Sequence, residues 1–151
     1  MVVLDGPDGV RRHAGQELGL SGWHEVLQSE IDTFADLTAD HQWIHVDVER
    51  ARASPFDGTI AHGFYTLALG PGLAAEIYTF EGFAFGLNYG LDRVRFPAPM
   101  PVGGRVRLRA RLAAVDDLAD GGIQVAITHT FEHEQGEKPV CVAEALGRFY
   151  P

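Results

Sequence analysis

Two segments of this sequence place groups capable of proton transfer near one another. In the run Asp40-His41-Gln42-Trp43-Ile44-His45 a carboxylate and an imidazole stand five residues apart. Imidazole titrates near neutral pH, and a neighbouring carboxylate accepts a proton or orients one, so the couple suits general acid–base work. On a regular helix this spacing would turn the two side chains about 140° apart, whereas irregular backbone lets both face one cleft. The plainer alternative has Asp40 capping the next turn and His45 as an ordinary half-buried histidine. Residue types alone favour that alternative, because such neighbours are common. The second segment, His62-Gly63, stands just before a long apolar run. A helix beginning there offers unpaired N–H groups that suit a carbonyl oxygen gaining negative charge, and glycine lets a ligand approach the backbone closely. Gly63 equally suits a tight turn into a helix, and His62 a hydrogen bond to its own loop.

Other polar groups are less informative. Arg105, Arg107, Arg109 and Arg111 alternate with apolar residues. They read first as a solvated strand face and only second as a strip for phosphates of a nucleotide-bearing ligand; Arg93 and Arg95 are similar. Asn88 and Tyr89 either line a pocket or pack. Cys141 lies in an apolar stretch and reads as inert core. His41 and His45 are four apart but have no third ligand nearby in the sequence, so metal binding is a weak reading. Neither a GxSxG elbow, a phosphate-binding Walker loop nor a dinucleotide fingerprint occurs.

The elements that must position these groups follow from periodicity. Residues 22–28 have strand character, and Ser29 reads as an N-cap for a helix carrying Ile31, Phe34, Ala35 and Thr38 that ends near Ala39. Residues 40–55 are dense and irregular, with 47–53 suited to a short helix, and 56–63 read as loop. Residues 64–79 are apolar nearly all round and predict a long buried helix, kinked or broken by Gly70-Pro71-Gly72. From Phe83 onward the period changes to two: 83–96 with an irregularity at Gly90, then 105–112, 123–133 and 140–150, separated by a proline-rich turn, Gly121-Gly122 and Gln135-Gly136. A late antiparallel sheet with one face to cover, and one apolar helix to cover it, predicts an α+β hot-dog arrangement.

A chain of 151 residues with 46% hydrophobic content fits one domain spanning 1–151, with residues 1–14 loosely held. The net charge of −9 argues against nucleic acid as a partner, since that affinity comes from basic side chains. One cysteine excludes an internal disulfide. Asp5, Pro7 and Asp8 interrupt any secretory apolar core, and no apolar run approaches the roughly 20 residues of a membrane span, so a cytoplasmic protein without a membrane partner is expected.

Residues 34–69, FADLTADHQWIHVDVERARASPFDGTIAHGFYTLAL, resemble the MaoC-like, R-specific enoyl-CoA hydratases, including their NodN-like branch. The match rests on Asp40, His45, Asp47, Ala51 and Ile60-Ala61-His62-Gly63-Phe64. A second block, residues 89–107, is similar to the family's strand and Pro-Val-Gly turn. Ala39 stands where the family usually has glycine, and Gln42-Trp43 replaces Asn-Pro. Gln42 is then a contact to water or substrate with an altered reach, and Trp43 either reshapes the acyl pocket or fills core. His62, Phe64 and Asn88 are further candidate substrate contacts.

The resemblance implies hydration of an enoyl thioester or the reverse dehydration of a (3R)-3-hydroxyacyl thioester. The Gly63 N–H would hold the thioester carbonyl. Asp40 and His45 would hold one water, with Asp40 taking its proton and His45 supplying one to C2. It also implies no metal or redox cofactor, a coenzyme A or acyl-carrier thioester as substrate, and a homodimer. Two rivals share the fold. A thioesterase would aim water at the carbonyl carbon, and release of free thiol from crotonyl-CoA would reveal it. A non-catalytic acyl-binding subunit would bind tightly without turnover.

Overall fold

Period-two alternation governs the second half of the chain. Val106, Leu108, Ala110 and Leu112 are fully buried, while the four arginines between them lie outside. The computed structural model describes residues 1–151. In chain order the elements are β1 (Val2–Asp5), α1 (Gly6–Arg12), β2 (Glu17–Leu20), β3 (His24–Glu25), α2 (Gln28–Thr38), α3 (Trp43–Val46), α4 (Val48–Arg52), α5 (Gly63–Ala68), α6 (Gly70–Ala74), β4 (Tyr78–Glu81), β5 (Phe85–Arg95), β6 (Arg105–Asp117), β7 (Ile123–His133) and β8 (Cys141–Tyr150). The main sheet is antiparallel in the order β2-β6-β7-β8-β5, with β3 also on β6. It bends around α5 and α6, the hot-dog layout expected from the alternation. Register slips in β5 flank Gly90, at Asn88/Gly90 and Leu91/Val94.

The long central helix is corrected. The apolar run forms two short helices that meet at Leu69, because Pro71 has no N–H for the Leu67 carbonyl one turn back. Together they extend roughly 18 Å. The run's last residues leave the helix altogether: Tyr78 and Thr79 enter β4, which pairs in parallel with β1. Gly70 lets the helix approach the sheet closely, since a Cβ there would stand 3.3 Å from the Phe131 ring.

Two further expectations change. The N-terminal residues are packed rather than loose: Leu4 and Val10 are fully buried, and the Val2 N–H donates to Ile77 O. Ser29 lies inside the first turn of α2 instead of capping it. The N-cap is Leu27, whose N–H donates to the Glu30 carboxylate at 3.1 Å. That carboxylate also accepts from the Tyr65 hydroxyl at 2.9 Å, tying α2 to α5.

The arginine face is a lattice of ion pairs. Arg105 meets Glu134, Arg107 meets Glu132, and Arg109 meets both Glu132 and Glu17. Arg107 and Glu132 are directly opposed on the β6–β7 ladder, the other partners are reached diagonally or just past the strand end, and together they leave little of this face for phosphates.

Candidate active site

Three short segments converge on the first turn of α5. α2 ends at Ala39 in the left-handed conformation (φ 59°), which turns the chain sharply and presents Asp40 beyond the helix. An L-residue there costs about 1–2 kcal/mol, which is why glycine suits the position. Gln42 is extended, and its carbonyl accepts the His45 N–H at 2.9 Å, closing the single turn of α3 that carries the histidine. The segment from Thr59 to His62 clamps this turn. The Ile60 N–H donates to Ile44 O at 3.0 Å, and Ala61 and Val102 bond across to Met100 and Thr59. Gln28, on α2, donates to His45 O at 2.8 Å and accepts from the Thr59 hydroxyl.

His45 is buried, with Nδ1 2.6 Å from Ile60 O. A carbonyl can only accept, so the ring's proton belongs on Nδ1 and Nε2 is left with its lone pair. Burial pushes the imidazole below its ordinary value; the Ile60 carbonyl and the Asp40 charge pull it back up, and His62 adds to the lowering. His45 is therefore a neutral base at physiological pH.

His62 is buried more deeply, and its ring stacks on that of His45 with centroids 3.8 Å apart and planes 25° apart. Its Nε2–H donates to the backbone carbonyl of Asp40 at 2.9 Å, and its Nδ1 is sealed without a partner. Phe34 also packs against the His62 ring, tilted, with 5.0 Å between centroids. His62 thus fixes Asp40 by its main chain and the His45 imidazole by its ring face.

Asp40, His45 and His62 each offer one potential ligand atom, all within 4.8 Å of one another. His45 Nδ1 and His62 Nε2 already face backbone carbonyls and His62 Nδ1 is sealed, which leaves His45 Nε2 and the Asp40 carboxylate as the free groups of the cluster. The cluster has the shape of an acid–base site rather than a metal cage.

Gly63 opens α5, and its N–H has no acceptor within the chain. Its Cα lies under the Phe96 ring; a Cβ there would come within 3.0 Å of three ring atoms. The remaining sequence candidates lie apart from this cluster. The Gln42 side chain is exposed. Trp43 lies beneath the Arg50 guanidinium, 4.2 Å from ring centroid to Cζ. Phe64 is 70% exposed and meets Phe96 edge-on. Asn88 sits on β5 and lines an apolar cavity beside α5 and α6. Sequence reasoning passed over Gln28, Thr59 and Phe96. All three act through tertiary contacts, and none carries a local signal.

A family model described as "MaoC like domain" matches residues 10–135. The chain belongs to the MaoC-like domain family. It is 53% identical over 136 residues to 3-hydroxyacyl-thioester dehydratase Z of Mycobacterium tuberculosis, covering 90% of each chain. It is 46% identical to nodulation protein N of Rhizobium leguminosarum bv. viciae, covering 85% of this chain and 81% of that protein. Among solved structures, the (R)-hydratase of A. caviae shares the fold, with a TM-score of 0.73 at 21% identity over 91% of this chain and 96% of that one.

Proposed function

We propose that this MaoC-like protein is an (R)-specific hydro-lyase for acyl thioesters, interconverting a 2-enoyl thioester and the (3R)-3-hydroxyacyl thioester. The observation that carries the reading is the neutral, Nδ1-anchored His45 beside Asp40 on the turn next to the unpartnered Gly63 N–H. The 53% identity to a 3-hydroxyacyl-thioester dehydratase supports the substrate class.

In hydration, Asp40 and His45 hold one water against C3. The water oxygen bonds to C3 as its proton passes to the pair, and the π electrons of the double bond move toward the thioester oxygen. The Gly63 N–H stabilises that developing enolate. The proton then returns from the pair to C2, and the carbonyl re-forms. A resting His45 without a proton on Nε2 accepts before it donates, so we assign both partners to the accepting stage. His45 acts as an acid only after protonation. The two groups titrate as a unit. No metal or redox cofactor enters this sequence; the coenzyme A or acyl-carrier thioester is substrate.

The test is direct. With crotonyl-CoA, loss of enoyl absorbance without thiol release is the expected result. Thiol release at the same rate would make the protein a thioesterase, and tight binding without turnover would make it an accessory subunit.

We further propose that it works in the cytoplasm as a homodimer joined along β5. No helix is long and apolar enough to cross a membrane. β5 ends the sheet order, and Phe85, Leu87, Tyr89 and Leu91 along it are each about half exposed. An exposed, apolar sheet edge is a template for pairing. Light scattering should give twice the chain mass for the wild type and the single-chain mass for the Leu87→Asp/Tyr89→Asp variant. A monomeric wild type would overturn the assignment.

A further inference from the structure

One face of the α5–α6 helix carries Gly63, Leu67, Gly70 and Ala74 in a single stripe, spaced three and four residues apart. Beyond the first turn this stripe forms the wall of a cavity of about 290 Å³. Leu67, Pro71 and Ala74 line one side, with Leu91 of β5 and Leu146 of β8 opposite. An adjoining space of about 360 Å³ continues toward Phe80 and Phe149. The walls are those of an acyl-chain site, apart from Asn88 of β5 and one buried polar pair.

Tyr78 and His129 border both spaces, and the tyrosine hydroxyl lies 3.1 Å from His129 Nε2. His129 is 8% exposed and holds a core position of β7, in line with Ile123, Val125, Ile127 and Phe131. Its Nδ1 has no partner in the chain and is not sealed by protein. It lies 3.7 Å from where a side chain at Gly70 would begin, on the helix face that walls the cavity. Whichever tautomer the ring adopts, one hydrogen-bonding position of the pair stays open. If Tyr78 donates to Nε2, Nδ1–H is a free donor. If Nε2–H donates to Tyr78, the tyrosine proton and the Nδ1 lone pair are free. An unmet polar group in an apolar wall costs about 1–3 kcal/mol unless the ligand meets it.

We infer that Tyr78 and His129 form a specificity subsite for an uncharged oxygen function, a hydroxyl or keto group, borne on the acyl chain well beyond the reacting carbons. The inference rests on the acyl-thioester reading above. Burial holds His129 neutral, at about 4, which suits a neutral oxygen better than a carboxylate. Gly70 follows Gly63 by seven residues, and this places the subsite roughly 10 Å along the helix from the amide assigned to the thioester. The oxygen therefore belongs to the distal part of a medium-length chain.

The experiment compares hydration of 2-enoyl-CoAs ending in a hydroxyl with alkyl-ended chains of equal length, in single-methylene steps from hexenoyl to dodecenoyl. At the best length the hydroxylated chain should be favoured about tenfold in kcat/KM. The double variant Tyr78→Phe/His129→Leu, which removes both hydrogen-bonding groups, should bring that ratio to one or below. If the double variant does not fold, the wild-type calorimetry below decides. Absence of a wild-type preference for the hydroxylated chain at every length, or an unchanged ratio in the double variant, overturns the inference. Calorimetry with the matched saturated acyl-CoAs separates this from failure of the reaction. Absence of turnover with a retained binding preference for the hydroxylated chain removes the hydratase reading and leaves the subsite. Equal binding of the two removes the subsite.

Discussion

Asp40→Asn and His45→Ala are each expected to lower kcat/KM for enoyl-CoA hydration by about a thousandfold, within the range that one positioned proton-transfer group contributes. The two variants differ in what else they disturb. Asp40 is exposed and its role in the fold is carried by its backbone carbonyl, which His62 holds, so Asp40→Asn should keep wild-type stability within about 0.5 kcal/mol. His45 is buried against Ile60 and His62, so its truncation should also cost stability. Asp40→Asn is thus the cleaner measure of chemistry. The double variant should be little worse than either single one, because the pair holds one water as a unit. Near-wild-type hydration rates in Asp40→Asn, with fold confirmed by circular dichroism, would remove the assigned role. The direction of the His45 shift adds a pH signature: kcat/KM should hold through neutrality and decline only on the acid side, below the ordinary imidazole range.

The second large effect concerns acid stability. Burial lowers His129 to about 4 in the folded chain, against about 6.5 when unfolded. Between these values the unfolded chain binds the extra proton and the folded one does not. Stability attributable to neutral His129 is therefore complete above the unfolded value and lost as pH falls toward the folded one. The shift corresponds to on the order of 3 kcal/mol. Chemical denaturation from pH 7 to pH 4 should show this loss in the wild type, and a shallower decline by about that amount in His129→Gln, which keeps a polar group beside Tyr78 without titrating. Glu30 and Glu132 contribute at lower pH. Burial pushes both up, but hydrogen bonds from Leu27, Tyr65 and His24, and from Arg109 and Arg107, bring them below the carboxylate range. Both carboxylates are unchanged in the variant, so the difference belongs to His129. Identical pH slopes would mean that water reaches the ring.

If the Tyr78–His129 pair selects oxygenated chains, the titration and the substrate preference have one origin. A histidine in an apolar wall resists protonation for the same reason that it seeks a neutral hydrogen-bonding partner.

Much of this arrangement is written locally. Alternation over β6 and β7 set the inward residues, including His129, because side-chain direction in a strand depends only on parity. Gly121-Gly122 marked the turn between them, and Pro71 the break between α5 and α6. The short helix within 47–53 was equally legible, and the structure begins it with Asp47 as its cap, a contact within one turn. The spacing of Asp40 and His45 alone favoured an ordinary cap and a half-buried histidine, and it was the resemblance that singled the two out as the candidate reacting pair. What tertiary structure alone decided is how these groups are held and where the chain goes beyond the first turn of α5. The proton position on His45 depends on Ile60, 15 residues away, and the fixing of Asp40 depends on His62, 22 residues away. The end of the apolar run became strand because β1, at the far N-terminus, pairs with it. Tyr78 and His129 are 51 residues apart, and nothing in either local sequence marks the other. Parity, proline and caps act within a turn or a strand, so the sequence states them outright. Hydrogen bonds between distant segments exist only once the sheet has closed around the helix.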